Sequence, residues 1–242
     1  MNGTPDISPQ KRISYMENSE IERRTDNLRM AQQLLTGKIT PEQFADQQTE
    51  RELQLERLAF IDPLTGLLNR HGLSHAFDLK LQIAGREMRG GQVDGLKASY
   101  LMMDLDGLKQ INDTHGHGTG DLVLLYLGQT IQNSLRPTDL AARIGGDEFV
   151  IILDGASCNE AVLVAERLRA SLSEDEGLFI PNGINVTTSM GIVELPEGIS
   201  SEQLRQPNFG DVLLHQLYIQ ADPLLYKAKS RGKNQIATLP IQ

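Results

Sequence analysis

The sequence predicts an α/β domain, a sheet covered by helices, and three observations carry that expectation. Arg143-Ile144-Gly145-Gly146-Asp147-Glu148 leads into Phe149-Val150-Ile151-Ile152-Leu153, which reads as strand, tight turn, strand. A second apolar run, Ala98-Ser99-Tyr100-Leu101-Met102-Met103, ends in Asp104-Leu105-Asp106. Between and around these runs lie stretches of helical period, giving the order strand, helix, hairpin, helix, strand, helix. A chain of 242 residues, 39% of them hydrophobic, accommodates one large domain or one medium domain with an extension.

Taken in order, residues 1–16 carry Gly, Pro, Ser and Asn with little apolar content and are expected to form a mobile tail. Residues 17–59 read as a helical extension. Ile21, Leu28 and Leu35 are seven apart and share one side of a helix that Thr36-Gly37-Lys38 breaks. Thr40-Pro41-Glu42-Gln43 then looks like an N-cap with proline at the first helical position. The second helix runs toward Leu53, Leu58 and Phe60. A solvated linker and a segment that pairs two chains fit this pattern equally well, because two heptads are too few to define a coiled coil.

The remaining elements fall in residues 60–242. Asp62 to Arg70 reads as a capped turn leading into a helix toward Met88, and Arg89 to Gly95 as a loop before the Asp104 strand. Leu122 to Leu135 is a helix with Leu122, Leu125, Tyr126 and Ile131 as core positions. The hairpin follows, its two glycines expected to supply positive φ and its second strand to be buried on both faces. Glu160 to Leu172 is an amphipathic helix, Ile184 to Glu194 a strand, and Val212 to Ser230 a final helix.

Composition narrows the function. A net charge of −9 disfavours nonspecific binding to a nucleic-acid polymer. The single Cys158 excludes an intrachain disulfide and a zinc cluster, and fits a reducing compartment. No signal peptide and no apolar run of membrane-spanning length is visible, so no membrane insertion and a cytoplasmic location are expected. Strand period puts Asp104 and Asp106 on one face, and Asp147 and Glu148 stand at the hairpin mouth. An acidic hairpin alone reads as a solvated tip. If the two strands are neighbours, however, up to four carboxylates converge, an arrangement that calls for cations such as Mg²⁺ or Mn²⁺.

These residues resemble the GGDEF domain of bacterial diguanylate cyclases, whose hallmark Gly145-Gly146-Asp147-Glu148-Phe149 is complete here. Asp62-Pro63-Leu64-Thr65-Gly66-Leu67-Leu68-Asn69-Arg70 looks like the family's opening motif. Asp104-Leu105-Asp106 is followed at family spacing by Lys109, Asn112 and Gly116-His117-Gly118-Thr119-Gly120-Asp121. Ala221 to Lys229 resembles its last helix. The likeness extends from about Asp62 to Asn234 and departs from the pattern at Gly107-Leu108, where aromatic residues often precede the lysine.

The resemblance implies a ferredoxin-like, palm-type nucleotidyl cyclase core with a mainly antiparallel central sheet. It implies condensation of two GTP into cyclic di-GMP, with Mg²⁺ or Mn²⁺ as cofactor, by a homodimer. Asp104, Asp147 and Glu148, with the Leu105 carbonyl, are the implied metal ligands. Asp147 or Glu148 receives the hydroxyl proton, and Gly145 and Gly146 let the hairpin backbone approach the nucleotide. Asn112 and Asp121 are the implied guanine readers, His117 a further substrate contact, and Lys109, Lys229 and Lys233 the phosphate contacts. Arg136 and Asp139, with Arg167 from the next helix, match the family's inhibitory product site. Asp106 is the lesser ligand candidate beside its alternative, a hydrogen bond to the following turn. A catalytically silent module that senses GTP or cyclic di-GMP is the other reading. Such modules usually lose a metal ligand or a hairpin glycine, and none is lost here.

Overall fold

Chain order alone does not dictate which strands become neighbours. In the computed structural model, which describes residues 30, 32–87, 96–173 and 184–239, six strands form one sheet. They are β1 (Leu68–Asn69), β2 (Ala98–Leu105), β3 (Leu140–Arg143), β4 (Glu148–Asp154), β5 (Thr188–Glu194) and β6 (Ile236–Thr238). Their spatial order is β1-β3-β4-β2-β5-β6. The four inner strands pair antiparallel, while β1 joins β3 and β6 joins β5 in parallel.

Burial on both faces explains the composition of the centre. Every residue of β2 is buried, as is Phe149–Leu153 of β4, so these strands are continuous apolar runs rather than alternating ones. One face carries Tyr100, Met102, Val150 and Ile152 against α2 (Arg70–Glu87) and α6 (Phe209–Ser230). The other carries Leu101, Met103, Phe149 and Ile151 against α4 (His117–Ser134) and α5 (Cys158–Ser173). A short helix, α3 (Leu108–His115), follows β2.

The chain divides into two units, Met1–Arg57 and Leu58–Gln242, and the sheet belongs to the second. The first holds the start of α1 (Pro41–Phe60), which has a reciprocal cap: Gln43 N–H donates to Thr40 Oγ1 at 3.2 Å and Thr40 N–H to Gln43 Oε1 at 2.9 Å. Ile21, Leu28 and the Leu53 side chain lie outside the described residues. Leu35 and Leu58 are 87% and 66% exposed. No helix among the described residues is long and apolar enough to cross a membrane.

Three expectations need correction. On α4 the buried residues are Val123, Leu124, Leu127 and Ile131, whereas Leu122 is 45% exposed and Leu125 and Tyr126 are half-buried. Spacing of 123, 127 and 131 defines the stripe facing the sheet; Ile131 lies on it as expected, while Leu122, Leu125 and Tyr126 sit beside it. Leu68-Asn69 is a strand rather than part of the turn, because the parallel partner Ala142-Arg143 lies beyond the reach of local pattern. Gly145 and Gly146 do not take positive φ. A Cβ on Gly145 would come within 2.6 Å of Glu148 Oε2, so what this glycine provides is room.

Candidate active site

The hairpin tip meets the end of β2 at an acidic corner. Asp104 pairs across the sheet with Glu148, and Leu105 N–H donates to the Asp147 carbonyl at 3.0 Å. Directly opposed residues on neighbouring strands share a face, so Asp104 and Glu148 both lie on the α2/α6 side. Asp104 is only 5% exposed. Burial, with the negative charges of Asp147 and Asp106 nearby, pushes its carboxyl up to about 6 against the pull of Lys229. Lys229 Nζ, from the last turn of α6, sits 2.7 Å from Asp104 Oδ2 and supplies the neutralising charge.

The corner is not a ready-made ion cage. Among the described residues no three His, Cys, Asp or Glu side chains are grouped so as to hold a metal. Its donors are nonetheless hard carboxylate oxygens brought close together, which suits Mg²⁺ or Mn²⁺ chemically. Asp106 does not join them. Its oxygens receive Ser189 Oγ at 2.8 Å, Thr187 Oγ1 at 3.0 Å and the Asn234 N–H at 2.9 Å. Those bonds go to the neighbouring strand and to the segment after α6, not to the following turn.

One residue that sequence reasoning left without a role holds the tip in place. Arg143 donates from Nε and Nη2 to the Gly146 carbonyl, at 3.2 and 2.8 Å. Its Nη1 reaches both oxygens of Asp62, at 3.3 and 3.4 Å. Asp62 in turn accepts Thr65 N–H and Oγ1 at 2.9 and 2.7 Å. Burial works to raise the Asp62 carboxyl, but the Thr65 bonds and the Arg143 charge together hold it below the usual carboxylate range. Arg70 adds a bond to the Ile144 carbonyl at 3.0 Å. The signal available in sequence was an arginine next to the glycine pair and another closing the opening motif, since a guanidinium fork satisfies several acceptors at once.

The second group is built where α3 meets α4. Asn112 Oδ1 is buried without a hydrogen-bond partner among the described residues. A Cβ on Gly120 would collide with that oxygen, so glycine is what lets the amide sit there. Asp121 follows on α4 and is exposed; the helix starts at His117 after Gly116, so Asp121 is not its cap. His117 and Lys109 are exposed on α4 and α3, and Lys233 is exposed after α6.

The third group is separate. Arg136, Asp139 and Arg167 line a cavity of about 290 Å³ with Ser134, Asp154 and Leu163. Asp139 is also structural: its two oxygens accept the N–H groups of Arg136 and Asp154, at 2.9 and 3.0 Å. Arg167 Nη2 donates to the Ser134 carbonyl at 2.8 Å.

Fold and acidic corner together define a palm-type nucleotidyl cyclase core. The family model for "Diguanylate cyclase, GGDEF domain" matches residues 59–235. The chain is 37% identical over 227 residues to the diguanylate cyclase DgcS of Shewanella oneidensis, covering 89% of this chain and 68% of that protein. It spans less than half the length of several other curated relatives. The coiled coil and GGDEF domain of DgcB from Caulobacter crescentus, solved with c-di-GMP, superposes with a TM-score of 0.61 at 29% identity. That match covers 81% of this chain and 93% of DgcB's. The active GGEEF domain of a Vibrio cholerae diguanylate cyclase gives 0.58 at 27% identity, over 73% of this chain and 99% of the other. This chain belongs to the GGDEF family of diguanylate cyclases.

Proposed function

We propose that the chain condenses two GTP into cyclic di-GMP with release of pyrophosphate. The observation that carries this reading is the acidic corner itself, where Asp104 faces Glu148 and the Asp147 carbonyl is bonded to Leu105. Asp104, Asp147 and Glu148, with the Leu105 carbonyl, would hold Mg²⁺ or Mn²⁺. Bound there, the metal lowers the pKa of a ribose hydroxyl and neutralises phosphate charge. The chain's own residues do the rest. Asn112 and Asp121 accept from guanine, with His117 beside them, and Lys109, Lys229 and Lys233 meet phosphate oxygens. A carboxylate oxygen of Asp147 or Glu148 takes the 3′-hydroxyl proton as the oxygen attacks the α-phosphorus. The bond to pyrophosphate then breaks. Gly145 and Gly146 keep side chains out of the approach.

The test is to incubate the pure full chain with Mg²⁺ and GTP and chromatograph the products. Cyclic di-GMP supports the reading. Tight GTP or cyclic di-GMP binding without turnover replaces it with the sensor module.

Product control follows from the Arg136, Asp139 and Arg167 cavity, read as an inhibitory site for cyclic di-GMP. Progress curves are expected to slow while GTP is still abundant, and Arg136→Ala to remove the slowing at an unchanged initial rate. Equal product sensitivity in both proteins would leave the cavity without this role.

Each site takes one GTP, so the reaction needs a homodimer that brings two sites face to face. Removing residues 1–57 is expected to leave a folded domain whose specific activity is low when dilute and rises with concentration. Tethering raises the local concentration of the second site to roughly millimolar for short linkers. Activity titration with sedimentation checks this, and equal activity of both proteins at every dilution would make the segment a plain linker.

A further inference from the structure

Asp104 and Asp106 alternate along one strand end, yet both are engaged by the same downstream segment. Asp104 holds Lys229 at the end of α6, and Asp106 holds the backbone of Asn234 in the turn that follows. That turn is unusual in its backbone. Lys233 and Asn234 have φ of 63° and 48°, two successive non-glycine residues in the left-handed region. Such a conformation persists only when its surroundings over-determine it. Here the surroundings are visible: Lys233 N–H donates to the Ala228 carbonyl at 3.3 Å and Arg169 Nη1 to Asn234 Oδ1 at 3.1 Å. Asp106 Oδ2 accepts the Asn234 N–H at 2.9 Å. Asp106 is itself fixed to the start of β5, through Thr187 just before the strand and Ser189 within it. Between the two anchors, at Lys229 and Asn234, stands the exposed Lys233.

We propose that Asp106 is a positioning residue for Lys233: its carboxylate locks the left-handed turn so that the Lys233 ammonium is presented to the polyphosphate of GTP. The proposal rests on the reading of Lys233 as a phosphate contact. It gives the three bonds at Asp106 a purpose that metal ligation does not. A lysine on a four-carbon stem loses much conformational freedom when it binds, and a rigid backbone beneath it lowers that cost.

The experiment measures binding of GTP, and of guanosine as the probe without phosphate, by calorimetry on the full chain with a chelator present. Turnover and metal ligation then contribute nothing. Asp106→Asn is the informative variant: it keeps size but loses the negative charge and one of the two acceptor oxygens that Ser189, Thr187 and the Asn234 N–H share, which weakens the hold on the turn. Melting curves check that each variant is folded, and Asp106→Ser repeats the test if asparagine is not tolerated. The expected result is GTP affinity lowered about tenfold, within the range seen for coupled neighbours, with guanosine affinity unchanged. Adding Asp106→Asn to Lys233→Ala is expected to cost nothing further. Equal losses for GTP and guanosine, or a full additional loss in the double variant, would overturn the proposal. Loss of GTP binding in Lys233→Ala but not in Asp106→Asn would overturn it alone. Unchanged binding in Lys233→Ala would remove the phosphate contact, and the proposal with it.

Discussion

Asp104→Asn is expected to lower cyclic di-GMP formation by about two to three orders of magnitude, the scale on which single charge-stabilising groups act in transition states. The same change is expected to leave the melting temperature at pH 7 equal or higher. The sign follows from burial. Asp104 is pushed up to about 6 in the folded chain, above its ordinary value of 3.8, so the fold favours the protonated acid. Its contribution to stability is complete below the unfolded value and is lost as pH rises through about 6. Asp147 and Asp106 drive the shift along with burial, and Lys229 opposes it. Melting without divalent cations between pH 4 and 8 should therefore show the wild type losing ground to the asparagine variant. A variant that turns over GTP normally would refute the catalytic placement, and one that melts much lower at pH 7 would refute the electrostatic one.

Asp121→Ala is expected to cut GTP turnover by about a hundredfold or more and to relax selection against ATP. A site built to hydrogen-bond its substrate discriminates steeply, because a missing partner leaves a buried polar group unpaired. Asn112 Oδ1 is a buried acceptor without a hydrogen-bond partner among the described residues, seated beside Gly120. Guanine offers donors where adenine offers an acceptor, so a guanine reader at Asp121 would select by sign rather than by size. Parallel assays with GTP and ATP measure the ratio, and an unchanged ratio would reduce Asp121 to a solvated helix residue.

Much of this architecture was legible in sequence where the signal was local. The run Phe149–Leu153 announced a strand buried on both faces; that the acids ending β2 lie beside the hairpin stood only as a condition, which Asp104 opposite Glu148 meets. What escaped depended on partners far along the chain. Leu68-Asn69 becomes a strand only because Ala142-Arg143 lies alongside, and two residues carry no period. On α4 only Ile131 was placed correctly, because apolar residues surround the helix and more than one stripe fits its spacing; contact with the sheet selects 123, 127 and 131. Arg143 stood close to the glycine pair, but its role as a clamp depends on Asp62, 81 residues away, which only folding brings to it. Asp106 stood as the lesser ligand candidate beside a bond to the following turn, and its oxygens go instead to Ser189, Thr187 and Asn234.

The two short outer strands bear on solubility. Phe149–Leu153 is the kind of apolar, uncharged, β-prone segment that stacks into fibrils when exposed. It lies inside the sheet between β3 and β2, which themselves have neighbours on their far sides. At the rims, β1 has only two residues and β6 only three. Rims this short give a passing chain little backbone to pair with, which is how natural sheets avoid unwanted strand addition. The aggregation hazard of the most hydrophobic stretch in the hairpin therefore belongs to the unfolded chain, and conditions that speed refolding should suppress it.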